Sequence, residues 1–164
     1  MKKNLIILSI TLILFSLILT SYQTLTLPNL QGSYAVNYGR KTSAYQHLNI
    51  HYKANGEILF YLEGCAGVPG YNTGSIYDRL TFNKATGNYE YMPKDTTEDC
   101  NLAFVKKGNT IIITTLHGDC GFGAGIFADG AYQLKSNINP QYFTTRTNKN
   151  VYFDKTTPET LTDY

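Results

Sequence analysis

The chain has no tryptophan, only three cysteines, and a charged fraction of 16%. Beyond the first 21 residues it also lacks any long run of Ala, Leu, Glu and Lys, so helix composition is missing. There is no G-x-G-x-x-G and no Gly-rich stretch ending in Lys-Ser/Thr, so neither form of phosphate loop is written here. No cysteine lies near the end of the N-terminal apolar segment, which argues against a lipoprotein anchor. Without Lys2 and Lys3 the 14 basic residues become 12, equal to the 12 acidic ones. A neutral chain offers no electrostatic footprint for nucleic acid or for an anionic surface.

What is present begins with Met-Lys-Lys-Asn, followed by Leu5 to Thr20 without a charge. A basic start before an apolar run has the form of a secretory signal. The run is shorter than the roughly 20 residues of a bilayer span, so residues 1–21 are read as a signal peptide, the alternative being an uncleaved anchor. Residues 22–31 form a lead-in. The remainder has the length of one domain, and export makes a periplasmic or secreted location the expectation.

Tyrosine is abundant, at 14 residues, and short runs rich in Tyr, Ile, Thr and Phe recur. Eight strands are expected: 32–38, 45–53, 57–63, 75–82, 88–92, 101–106, 110–116 and 130–135. Asn55-Gly56, Thr86-Gly87-Asn88 and Gly108-Asn109 are tight-turn signals. Every connection is too short for a crossover helix, so neighbouring strands pair antiparallel. The expected fold is therefore all-β, an eight-stranded antiparallel meander barrel over 32–135, lipocalin-like or lysozyme-inhibitor-like. Gly32-Ser33-Tyr34 and Gly130-Ala131-Tyr132 echo each other at the starts of the first and last strands. From Ser136 the chain turns polar, and 136–164 is expected to be a mobile extension with at most one docked hairpin from 141–145 and 151–154.

An odd cysteine count in an exported chain leaves one thiol over. Cys100 starts one strand and Cys120 lies just after its hairpin partner, so Cys100–Cys120 is the expected disulfide. Cys65 is either a buried small hydrophobe or an exposed thiol. The segment from His117 to Leu134 carries Gly121, Gly123 and Gly125, but a strand follows rather than a helix. Its residues read as a structural turn, with Gly121, Gly123, Asp129 and Gly130 shaping the chain. Asp129 would bond neighbouring backbone N–H groups, and Phe122 and Phe127 would plug a barrel end. Cys120 with His117 and Asp119 invites a Cys/His nucleophile, but a disulfide would consume the thiol. His47 and His51, four apart on a strand, are too far apart to share a metal and read as a solvent face. No catalytic residue, metal or cofactor is expected.

Three motifs resemble those of a group of small exported bacterial proteins whose activity is not established. They are Cys100-Asn-Leu102-Ala-Phe104, Cys120-Gly-Phe-Gly123 and Ala128-Asp129-Gly130-Ala-Tyr132, with Gly32-Ser-Tyr34 opening the domain. The resemblance covers 32–135 and implies compartment and fold class, and it supports Cys100–Cys120 as the shared pair. Function is read as non-enzymatic binding of a protein partner through barrel-end loops 64–73, 92–100 and 117–129. Tyr71, Phe122, Phe127 and Tyr61 are the candidate contacts, because tyrosine offers large area at small entropic cost. A lysozyme-like enzyme is the partner class that fold analogy suggests. A carrier of a small apolar ligand is the alternative and a hydrolase the least favoured. Nucleic acid is excluded, and membrane contact is expected only through an uncleaved leader.

Overall fold

The computed structural model describes residues 27–36, 38, 43–93, 99–118, 120 and 122–161. The leader, Gly121 and the centre of the 92–100 loop lie outside the described residues.

Eight strands form a closed barrel in sequence order. They are β1 (Gly32–Ala35), β2 (Tyr45–Tyr52), β3 (Ile58–Cys65), β4 (Thr73–Asn83), β5 (Asn88–Tyr91), β6 (Cys100–Lys107), β7 (Thr110–Gly118) and β8 (Gly130–Ser136). Each neighbour pairs antiparallel, and β1 closes the wall by pairing with β8, Tyr34 opposite Leu134. The expected eight-stranded meander barrel is thus the fold. Closure leaves the meander without a free first or last edge.

Alternation along the strands decides what faces inward. Leu48 and Ile50 of β2, Ile58, Phe60 and Leu62 of β3, Leu102 and Phe104 of β6, and Ile111 and Ile113 of β7 share one core. Phe60 meets Phe104 and Tyr91 edge-on, with ring centroids 5.1 and 5.4 Å apart, a favourable geometry for aromatic quadrupoles. The tight-turn signals hold: Gly56, Gly87 and Gly108 all have positive φ, which glycine adopts without a Cβ penalty.

The G-x-Y echo has a structural meaning. Tyr34 donates its hydroxyl to the carbonyl of Leu30, 2.8 Å away, and Tyr132 donates to that of Ala128, 2.7 Å away. In both cases the residue two before the glycine is buried in the core. Apolar-x-Gly-x-Tyr therefore folds the incoming chain over an end of the barrel, Leu30 at one end and Ala128 at the other. Burial pushes the Tyr34 hydroxyl up to about 12 and that of Tyr132 higher still, so both remain donors.

Of the two forms expected for the tail, a mobile extension or a docked hairpin, residues 137–161 take the docked hairpin. Strands β9 (Tyr142–Thr144) and β10 (Asn150–Tyr152) form a second, two-stranded sheet, and a single 3-10 turn follows at Pro158–Thr160. Phe143, Val151 and Phe153 pack on Leu59, Tyr61 and Tyr77 of the outer barrel wall in a separate apolar cluster. Tyr61 stacks on Phe143 at 3.9 Å between ring centroids. Asn139 bonds both the N–H and the C=O of Tyr52, each at 3.0 Å. Arg79 donates to both carboxylate oxygens of Glu159, at 2.8 and 3.1 Å. This cover explains why β3 is buried at all eight positions.

Candidate binding surface

The two ends of the barrel differ. At one end the connections are the tight turns 53–57, 84–87 and 108–109; at the other lie the long connections 36–44, 66–72, 92–99 and 119–129. The long loops brace one another. Val68 N–H donates to Ser43 Oγ at 3.1 Å, Asn72 Nδ2 to the Ala124 carbonyl at 2.7 Å, and Gln46 Nε2 to the Phe127 carbonyl. The Cys100–Cys120 disulfide ties the last loop to the start of β6, as expected. Cys65 is free and buried, its sulfur accepting the Gly67 N–H at 3.4 Å.

Two glycines make the plug. Gly64 and Gly74 face each other across β3 and β4. A Cβ on Gly64 would stand 3.0 Å from Ile126, and one on Gly74 would stand 2.1 Å from the Phe122 ring. The missing side chains leave room for the 122–126 segment to press into the barrel mouth. Phe122 is a plug residue, as expected. Phe127 is not: it is 69% exposed, and Ile126 is buried in its place.

The remaining candidates divide. Tyr71 is 57% exposed and held at φ 47°, a left-handed position that a bulky residue keeps only when its surroundings impose it. The bond from its N–H to the Gly67 carbonyl, 2.8 Å, is part of that imposition. Tyr61 is a correction: it is 2% exposed, because it faces the outer wall under the tail rather than a loop surface. Among the described residues, Asp129 bonds Thr115 rather than its own neighbours. Its carboxylate takes the N–H and hydroxyl of Thr115 across the hairpin, at 2.9 and 2.5 Å. Gly130 opens β8, with Val36 and the Gln46 amide 3.2 Å from where its Cβ would stand. Gly123 lies against Asn72 and Thr73, which hold the same 3.2 Å distance.

Tyr38, Val68, Tyr71, Met92, Leu116 and Phe127 are all exposed at or beside this end. Sequence reading missed Tyr38, Val68, Met92 and Leu116. Their signal was weak: single apolar or aromatic residues in polar or glycine-rich loops or near the end of a strand.

Titratable groups are mostly elsewhere. His51 is buried, not on a solvent face. Its ring stacks on Phe153, with Nδ1 2.8 Å from the Pro140 carbonyl and Nε2 3.0 Å from Asp154. Glu63 lies on the outer wall, where burial raises its carboxyl above the ordinary range; the Tyr45 hydroxyl bond and the Arg146 charge pull the other way. Among the described residues, no group of three or more His, Cys, Asp or Glu is placed to hold a metal, and no helix is long and apolar enough to cross a membrane.

These features define a class: a closed eight-stranded antiparallel barrel, plugged at both ends, with one end carrying braced apolar loops. Among known proteins, no family model, curated protein or solved structure matches the chain.

Proposed function

We propose that this is an exported, non-enzymatic binding protein that engages a protein partner through the long-loop end of the barrel. The observation that carries the reading is the combination of exposed apolar side chains with loops that are already fixed. Tyr71 and Phe127 project from segments tied by backbone, side-chain and disulfide links. Aromatic anchors on a rigid frame lose little freedom on binding, which is what an interface hot spot requires. The disulfide fits an oxidising compartment, in keeping with a periplasmic or secreted protein and with the exported bacterial group that the motifs resemble.

The partner class tested first is a cell-wall-degrading enzyme such as lysozyme. Small barrels with a disulfide can serve as inhibitors of such enzymes, and a plugged barrel with a firm apolar end suits insertion at an enzyme cleft. A panel of lysozymes assayed on cell-wall suspensions tests this: the purified protein should slow lysis, and Tyr71→Ala with Phe127→Ala should relieve it. Absence of inhibition by the native protein across the panel would remove the lysozyme assignment.

The carrier reading has less support. Aromatic rings occupy the barrel centre, and the openings at the long-loop end, about 120 Å³ beside Gln46, Cys65 and Phe127 and about 310 Å³ along Thr115, Cys120 and Phe122, reach only the lower bound of small-molecule sites, roughly 300 Å³. Native mass spectrometry that finds a retained small molecule would reverse this order.

A further inference from the structure

Gln46 stands inside the barrel mouth with its two amide atoms used unequally. It is 4% exposed and shares the strand face of Leu48 and Ile50, which point into the core. Its Nε2 donates to the Phe127 carbonyl. That bond fixes the orientation of the amide, because only the nitrogen end can donate. Oε1 faces the other way, 3.2 Å from where a Cβ on Gly130 would stand. Among the described residues, no donor reaches that oxygen. A buried acceptor left unmade is costly, so Oε1 marks a place for a donor from a ligand.

The oxygen borders the opening of about 120 Å³ at the long-loop end. That is the scale of one inserted side chain rather than of a whole small molecule. Ala44, Ala66 and Ile126 give the opening apolar walls, which suit an apolar stem. Asp129 is its only charged lining residue, and none of the lining residues is basic. Phe127 and Tyr38 add aromatic rings, 69% and 43% exposed. An amide oxygen, a carboxylate and aromatic faces all favour a cation. A lysine suits the space better than an arginine. Its ammonium is compact and ends a straight four-carbon stem, whereas a guanidinium is a planar fork of five donors, more than one amide oxygen can satisfy.

We propose that this opening is a subsite for a primary ammonium group on a short alkyl stem, supplied by a lysine of the protein partner. The stem runs past Ala44, Ala66 and Ile126, and the ammonium donates to Gln46 Oε1 within the field of Asp129. The inference rests on the reading of the long-loop end as a partner surface and adds the chemistry that the partner presents to it. Gln46 then has two tasks: its nitrogen holds the Phe127 backbone, and its oxygen receives the ligand.

The first probe is n-butylammonium, the lysine side chain without its backbone, titrated at neutral pH into the purified protein and followed by NMR. Saturable shifts are expected at millimolar probe at the Gln46 side-chain amide and at the methyl groups of Ala44, Ala66 and Ile126, with the β9–β10 turn unchanged. A charge-assisted hydrogen bond is roughly twice as strong as a neutral one, so n-butanol should bind about tenfold more weakly. Butanoate, with its charge reversed, should not bind. Ala66→Leu, which fills the opening, should abolish the shifts. No saturable shift with n-butylammonium overturns the proposal, as does equal binding of n-butanol or butanoate, or shifts that persist in Ala66→Leu. The second arm uses any partner captured through Tyr71 and Phe127. Acetylating its lysines, which removes their charge, should weaken capture by about tenfold, the worth of one charge-assisted hydrogen bond. Capture that survives acetylation keeps the partner-surface reading and overturns the lysine subsite. Saturable n-butylammonium binding by a protein that captures no partner does the reverse: the ammonium site stands, with a free amine as its ligand, and the partner-surface reading falls.

Discussion

Gly74 has no side chain because Phe122 needs the space. Gly74→Ala places a Cβ 2.1 Å from the Phe122 ring and 2.9 Å from its Cα, so ring and backbone must both move. The expected loss is about 1–3 kcal/mol, as for other overpacked sites, read by denaturant titration, with loosening of the long-loop end seen by hydrogen exchange. The cysteines allow an internal comparison. Cys100→Ser and Cys120→Ser each open the same loop, closed across a separation of 20 residues, and should each lower stability by about 3 kcal/mol. Cys65→Ser keeps an acceptor for the Gly67 N–H and should do much less; three equal thermal shifts would contradict that ranking. Glu63 adds a pH dependence. Its folded carboxyl titrates above the ordinary value because it is buried, so the fold favours the protonated form. That contribution is complete below the unfolded value and is lost as pH rises through the raised folded value. Glu63→Gln removes the loss. The variant should be the more stable protein at neutral pH, and the difference should shrink on acidification, read from melting temperatures across the pH range.

At the scale of elements, the tail changes what β3 and β4 are. In a meander barrel the outer face is ordinarily solvated and strands alternate. Here Ile58 to Leu62 is unbroken apolar sequence, the pattern of a strand buried on both faces. That run was the legible sign that something covers the wall, and the aromatic residues of 142–153 were the cover. The polar, proline-bearing composition of the tail concealed it, because three large side chains, Phe143, Val151 and Phe153, carry the docking. Removing 137–164 deletes no barrel strand, so the barrel should still close. It uncovers Leu59, Tyr61 and Tyr77, so the truncated protein should melt lower, bind a hydrophobic dye and associate. A truncated protein as stable and as monodisperse as the full chain would show that the outer cluster contributes nothing.

At the scale of the whole molecule, the barrel is a spacer with two unlike ends. The short connections fall at one end and the long loops, with their apolar side chains and the disulfide, at the other, since alternate connections of a meander must fall at opposite ends. For the long-loop end the expectation is that Tyr71→Ala and Phe127→Ala, singly and together, weaken capture of a partner with little change in melting temperature, because both side chains are mostly exposed. A large fall in melting temperature would assign them to the frame instead.

Local chemistry was enough to determine the strands, the tight turns, their antiparallel order and the cysteine pair. Strand periodicity, positive-φ glycine turns and short connections act between near neighbours, so they are written in the residues themselves. Tertiary structure alone decided which exposed residues share a surface. It sent Tyr61 under the tail while leaving Tyr71 outside, chose Ile126 over Phe127 as the plug, and turned Asp129 across to Thr115. Each of these depends on side chains far apart in sequence competing for the same volume or the same hydrogen bond, and that competition is settled only when the barrel closes.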